Sequence, residues 1–337
     1  MENIEDIYTV LPLINAVFEP GYAQEKVKSF RDKGFRDIAQ AELYYFSGEA
    51  KKCSDIAEIY LMSSKLELKL SACMLYAYSN LTLGNAGASR RGLEEIQECV
   101  KRELALPSSA KNTAYCVFAG HLSAVLLHLP EKELPDLKQY MNELPNGLRV
   151  YAAYVAAHSL YLKGEYGRAL GVCDATLIFC EESRPISKIY LYCMMAMCEI
   201  SLKNQKGAQQ ALLTGWHIAA QDKFLEPFIE HHGLLQGMLE SCVKKENPEI
   251  YKKLSKAVIR FSRGWMAIHN PNSDGSVTDA LSTIEFSIAM LASRDWSNQE
   301  IADHLGISVN TVKHYLTDIF DKLGVRKRNE LKNYVLK

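Results

Sequence analysis

The chain has 337 residues, 48% hydrophobic and 23% charged, enough to bury a substantial core in about two domains or one elongated array. Its formal net charge is -1, so it is no generic polyanion binder, and any nucleic-acid surface must be local. The start MENIEDIYTV lacks a signal peptide's basic segment and apolar core, and no uncharged apolar run reaches transmembrane length. Nine scattered cysteines without a CxxC suit a reducing cytosol, so the expected location is cytoplasmic, with the thiols acting as small buried hydrophobes.

Residues 1–265 read almost entirely as helix, with apolar residues at three- and four-residue spacing and no sustained alternation. The breaks recur: Gly48, Gly84, Gly164 and Asn204 each follow an apolar helix end and suit the left-handed backbone found there. These positions are 36, 80 and 40 apart, and Leu129-Pro130 supplies a stop inside the double gap. One turn per such period is the mark of stacked helical hairpins. The unit from Ala153 to Glu181 fits best. Its LYLKGEYGRAL resembles the tetratricopeptide repeat, with Ala157 and Ala169 where paired helices approach closely. It has no Trp near its start and its Pro185 falls late, so a tetratricopeptide-like array is expected rather than a strict repeat. An irregular all-helical domain is the alternative.

This long region holds no Gly-rich loop ending in Gly-Lys-Ser/Thr and no strand–helix alternation of a phosphoreceiver. His231-His232, with His217 and Glu230, has no metal-ligand spacing, because adjacent histidines point to different helix faces. The expectation is no enzyme, no cofactor and no metal. The Tyr/Met-rich run Tyr190 to Met195 reads as packing between helices, with a peptide or small-molecule groove as the other option.

Lys244 to Arg263 is basic, with seven Lys/Arg against Glu246 and Glu249. It reads as a solvated helix face, with phosphate attraction as a second reading. His269 to Ser276 is polar and turn-forming, which puts domain 1 at 1–268, a linker at 269–277 and domain 2 at 278–337.

The last segment carries the most specific signal. Helices are expected at Thr283–Ser293, Asn298–His304, Ser308–Leu323 and Asn329–Leu336. Ser297 and Glu300 form a capping box, Gly306 closes a tight turn, and Ser308 caps the third helix. Val309, Val312, Leu316, Ile319, Phe320 and Leu323 make one apolar face of that helix. Asn310, Thr311, Lys313, His314 and Thr317 make a polar face at its N-terminal end.

SNQEIADHLGISVNTVK, followed by the IFDKLGV-R-R pattern at Ile319 to Arg328, closely resembles the LuxR-type (GerE-like) DNA-binding domain. That resemblance implies a four-helix domain whose third helix reads the major groove and whose fourth supports a homodimer on two-fold operator DNA. It implies base-facing roles for Asn310, Lys313, His314 and Thr317 and phosphate-facing roles for Ser308, Thr311, Arg326 and Arg328. The departures are Ser282-Thr283-Ile284-Glu285 for the usual Thr-Pro-Arg-Glu, Asp295 for a usual Gly, and Tyr315 for a usual His.

Two features stand apart from the family pattern. From Thr278 to Lys337 eight Lys/Arg balance eight Asp/Glu, so the isolated domain should hold non-specific DNA weakly. Phe286 and Met290 form an apolar pair on the first helix, read either as a dock for the helical array or as packing on the fourth helix. The expected whole is an all-α protein: a bacterial transcriptional regulator whose helical array takes an unidentified peptide, protein or small-molecule effector. Operator DNA and a second copy are its expected partners, with RNA polymerase a further candidate and no membrane contact. A helical adaptor that does not bind DNA is the alternative.

Overall fold

The computed structural model describes residues 8–127, 134–269, 281–293 and 295–331, and all regular structure among them is helical. The long helices fall into pairs: α1 (Lys33–Phe46) with α2 (Ala50–Tyr60), and α3 (Leu66–Thr82) with α4 (Ala86–Ala105). Next come α5 (Ala110–Leu126) with a 3-10 turn (Leu137–Glu143), α6 (Asn146–Leu162) with α7 (Tyr166–Phe179), and α8 (Pro185–Ser201) with α9 (Gln205–Asp222). The stop expected at Leu129-Pro130 lies outside the described residues.

Within each pair the first helix is the inner one. α3, α5 and α8 bury nearly their whole circumference, whereas α7 buries only Ala169 and Cys173. An all-round apolar helix can be stable only inside, so composition alone sorts the two layers. Close approach is achieved with small residues: a Cβ on Gly92 would sit 2.8 Å from the Cys73 carbonyl oxygen, and Ala157 and Ala169 are fully buried.

Gly48, Gly84 and Gly164 adopt φ of 74°, 74° and 79°, as hairpin turns at those positions require. The fourth turn differs from the expectation. Lys203 takes the left-handed backbone at φ 61°, and Asn204 instead caps α9 by accepting from the Gly207 N–H at 3.2 Å. An Asn oxygen satisfies an otherwise orphaned helix donor, which outweighs the strain moved onto the preceding residue.

The inner helices enclose two things that local periodicity does not announce. Residues 9–16 thread among them: the Leu11 N–H donates to Ser71 Oγ (2.9 Å), and the Leu13 and Ile14 N–H groups donate to the Glu42 carboxyl (2.9 and 3.0 Å). Behind this plug lies a tyrosine cluster. Tyr45 and Tyr190 donate to the Glu230 carboxyl, and Tyr154 bonds His231 Nε2 at 2.8 Å. Burial pushes Glu230 up to about 7 and His231 down to about 4. The space left among these rings is about 20 Å³, room for little more than a water. Tyr190, Leu191, Cys193 and Met194 are buried here as packing.

After α9 the chain breaks into short turns, Glu226–Glu230, His232–Leu235 and Leu239–Val243, interrupted by left-handed Gln236 and Gly237. α10 (Pro248–His269) then packs on α3, with Gly264 so close that a Cβ would lie 2.0 Å from the Leu81 oxygen. Among the described residues no helix is long and apolar enough to cross a membrane.

Candidate nucleic-acid interface

Among the described residues the C-terminal module has three helices, α11 (Thr283–Ser293), α12 (Asn298–Leu305) and α13 (Val309–Leu323), followed by a 3-10 turn at Arg328–Leu331. Each start is capped by its own sequence. Ser282 and Glu285 bond reciprocally at the head of α11, Ser297 and Glu300 make a full capping box on α12, and Ser308 Oγ accepts from the Thr311 N–H at 3.1 Å. Asp295 is left-handed (φ 61°), so the non-glycine residue accepts the turn at modest cost. Gly306 (φ 66°) gives the sharp reversal between α12 and α13.

The crossing of these helices buries Ile301, Ala302 and Leu305 of α12 against Val312, Leu316, Ile319 and Leu323 of α13. Because that stripe is committed to the core, α13 must turn its other face outward. Asn310, Lys313, His314 and Thr317 are all exposed there. Thr317 Oγ1 donates to the Lys313 carbonyl at 3.1 Å, and His314 Nδ1 lies 3.2 Å from Asp318. Ser308 is exposed and Thr311 half-buried, their hydroxyls 2.8 Å apart at the head of α13. Amide, ammonium, imidazole and hydroxyl groups on one helix end offer both donors and acceptors to base edges.

The two arginines diverge. Arg326 is exposed, its backbone N–H held by Glu330 at 2.8 Å. Arg328, expected beside the DNA backbone, turns inward instead: its guanidinium bonds the Ala292 and Trp296 carbonyls and Asn298 Oδ1. The Ala292 carbonyl also accepts from the Asp295 N–H at 3.2 Å, and a five-donor fork satisfies several acceptors between α11 and α12 at once. Lys322 is likewise engaged, 2.7 Å from Glu285, across the α11–α13 packing.

The module rests on the helical body along a mixed seam. The Phe286 ring lies against Gly233, where a Cβ would be 3.0 Å away, and Met290 is buried. Leu305 sits over Gly237, with no room for a Cβ between them. His304 Nε2 donates to the Gln236 carbonyl at 2.8 Å, which fixes the ring as its Nε2–H tautomer. Lys203 of the α8–α9 turn pairs with Glu300 at 2.6 Å and stands over the Trp296 ring at 5.8 Å. The Lys203 ammonium and the Ser297 donors hold Glu300 down to about 2. The fully buried Gln236 amide finds no hydrogen-bond partner among the described residues, a cost carried at the seam.

Lys203, Gln236, Gly237 and His304 had no local signal, since each meets its partner across some seventy residues or more of chain. The linker at 269–277 lies outside the described residues except for its first residue, and the fourth helix is seen only as far as Leu331. His232 bonds Glu240 at 2.9 Å, and His231 is spent on Tyr154 and the Pro227 carbonyl. Among the described residues no group of three or more His, Cys, Asp or Glu could hold a metal ion.

Residues 279–335 match the model of the bacterial regulatory proteins of the luxR family. The chain is 34% identical over 88 residues to a probable transcriptional regulatory protein, SgaR, of Hyphomicrobium methylovorum, covering 25% of this chain and 40% of that one. It is 39% identical over 74 residues to the oxygen regulatory protein NreC of Staphylococcus aureus, covering 21% of this chain and 34% of the relative. The chain thus spans no more than 40% of the length of these relatives. No solved structure matches. The C-terminal module is a LuxR-type helix-turn-helix domain, in a chain whose described regular structure is all helical.

Proposed function

We propose that this chain, ending in a LuxR-type helix-turn-helix, is a bacterial transcriptional regulator rather than an enzyme, one that works in the cytoplasm and binds operator DNA as a homodimer. One observation carries the reading. Asn310, Lys313, His314 and Thr317 stand exposed together on the face of α13 opposite its buried stripe, in a segment that matches the luxR family. Those four residues read bases in the major groove; Ser308, Thr311 and Arg326 hold phosphates. Arg328 serves the module's internal packing. RNA polymerase is a candidate partner of the bound regulator.

The helical body, a tetratricopeptide-like array, acts as the control element. Its broken segment 226–243 supports this, because one side faces the tyrosine cluster through Glu230 and His231 while the other receives Phe286, His304 and Leu305. An effector that shifts this segment changes how firmly the module is held. Since residues 9–16 already fill the space among the inner helices, an effector peptide there has to displace them.

A gel shift on the DNA upstream of the protein's own gene tests the proposal. Specific binding that falls about 10- to 100-fold in Lys313→Ala supports it, at about 1–3 kcal/mol for a base contact. Complete absence of binding favours a helical adaptor, the reading that the module's balanced charge supports.

A further inference from the structure

The module's charge balance becomes sharper in three dimensions. Of its described cations, Arg328 is turned inward and Lys322 is held on Glu285, which leaves Lys313, Arg326 and Lys327 exposed. Asp295, Asp303 and Asp321 are exposed on the same small domain. Non-specific affinity for DNA comes from phosphate neutralisation, and this set supplies little of it.

The missing charge stands on the neighbouring helix. α10 buries Leu254, Ala257, Val258 and Phe261 on one side, so Lys252, Lys256, Arg260 and Arg263 share the exposed opposite side at helical spacing, with Lys253 beside them. From Lys252 to Arg263 the stripe runs about 16 Å along the helix axis. It is held rigidly: Gly264 packs on the Leu81 backbone, Trp265 Nε1 donates to the Leu126 carbonyl at 3.3 Å, and Arg90 bonds the Ala267 carbonyl at 2.6 Å. It also borders the module. Ile259, within the stripe, lines a crevice together with Leu281, Ser282 and Phe286 at the head of α11.

We propose that the basic stripe of α10 is a second DNA-binding surface, which clamps the phosphate backbone beside the helix-turn-helix without reading sequence. This rests on the DNA-binding function proposed above. A nucleic-acid backbone fits better than an acidic protein, because protein interfaces rely on aromatic and apolar anchors and exclude lysine from their centres. The stripe has no aromatic residue, and Ile259 is its one large apolar side chain. The body therefore supplies the electrostatic grip and the module supplies the sequence reading.

The test uses the full chain, a random-sequence DNA duplex and fluorescence anisotropy across a range of salt concentrations. The variant Lys252→Gln/Lys256→Gln/Arg260→Gln changes only exposed side chains, and its thermal unfolding serves as the folding control. Losing two or three phosphate contacts lowers the salt slope of binding by about two to three, and affinity near 0.1 M salt falls on the order of 100-fold. Lys313→Ala changes that slope by no more than about one. Wild-type protein that binds no DNA would sink the DNA-binding function itself. Wild-type binding with an unchanged slope in the folded triple variant overturns the stripe alone and leaves an acidic protein as its partner.

Discussion

The helix-turn-helix module and the helical body are built from the same kind of amphipathic helix, yet they keep their important polar groups in opposite places. In the module's recognition helix α13, Asn310, Lys313, His314 and Thr317 face solvent, and the buried stripe Val312, Leu316, Ile319 and Leu323 is apolar. In the body, Glu42, His231 and the tyrosines around them are buried, with the half-buried Glu230 among them, and the outer helices are comparatively bland. Exposed groups cost little and can be exchanged freely, so they are available for recognition. Buried polar groups must be satisfied one by one, which makes them stability-determining and poor candidates for casual binding.

The contrast predicts unequal costs for similar truncations. Glu42→Ala strands two buried backbone donors, Leu13 N–H and Ile14 N–H, at about 1–3 kcal/mol each, so the urea midpoint should drop by the equivalent of about 2–5 kcal/mol. Thr317→Ala on the module should cost less than about 0.5 kcal/mol. Equal losses would erase the distinction.

Next in size is a pH effect confined to the body. Glu230 is raised from its ordinary 4.5 to about 7, so the folded state keeps the proton that the unfolded chain releases. Its favourable contribution is complete below pH 4.5 and is lost as pH rises through about 7, a change of about 3 kcal/mol at most. Glu230→Gln should remove that decline, so its urea midpoint relative to wild type should rise steadily from pH 5 to pH 8. A constant difference would show that Glu230 is not buried as an acid.

Smaller effects belong to the seam that joins the two regions. Gly237→Ala meets both a left-handed backbone (φ 85°) and the Leu305 side chain, so it should cost about 1–2 kcal/mol. Hydrogen exchange should then quicken at Gln236 to Val243 and in α12 while the α3 core stays protected. Exchange quickened throughout would mean that the seam is not a separable contact. Lys203→Ala removes an exposed pair with Glu300 and should shift stability by at most about 1 kcal/mol. A larger loss would promote that pair to a principal tie.

How much could be read beforehand follows the same division. The capping box Ser297–Glu300, the turn at Gly306 and the stripe from Val312 to Leu323 are contacts between near neighbours, and periodicity exposes them. The hairpin turns at Gly48, Gly84 and Gly164 were legible for the same reason. By contrast, Thr9 with Tyr115, Asn15 with Leu148 and Tyr154 with His231 join positions far apart in the chain, where no local spacing encodes the partner. Arg328 lay between the two cases. Its motif was visible, but its inward turn depends on the Ala292 and Trp296 carbonyls and Asn298 Oδ1, acceptors on both sides of the α11–α12 turn.

The central claim is that the exposed face of α13 reads DNA sequence, and the most direct measurement is selection from a pool of random duplexes by the full-length protein. The account predicts enrichment of one two-fold symmetric site, with the enrichment lost in Lys313→Ala while that variant remains folded. An unenriched pool, or a site bound equally well by Lys313→Ala and by Asn310→Ala/Thr317→Ala, would contradict it.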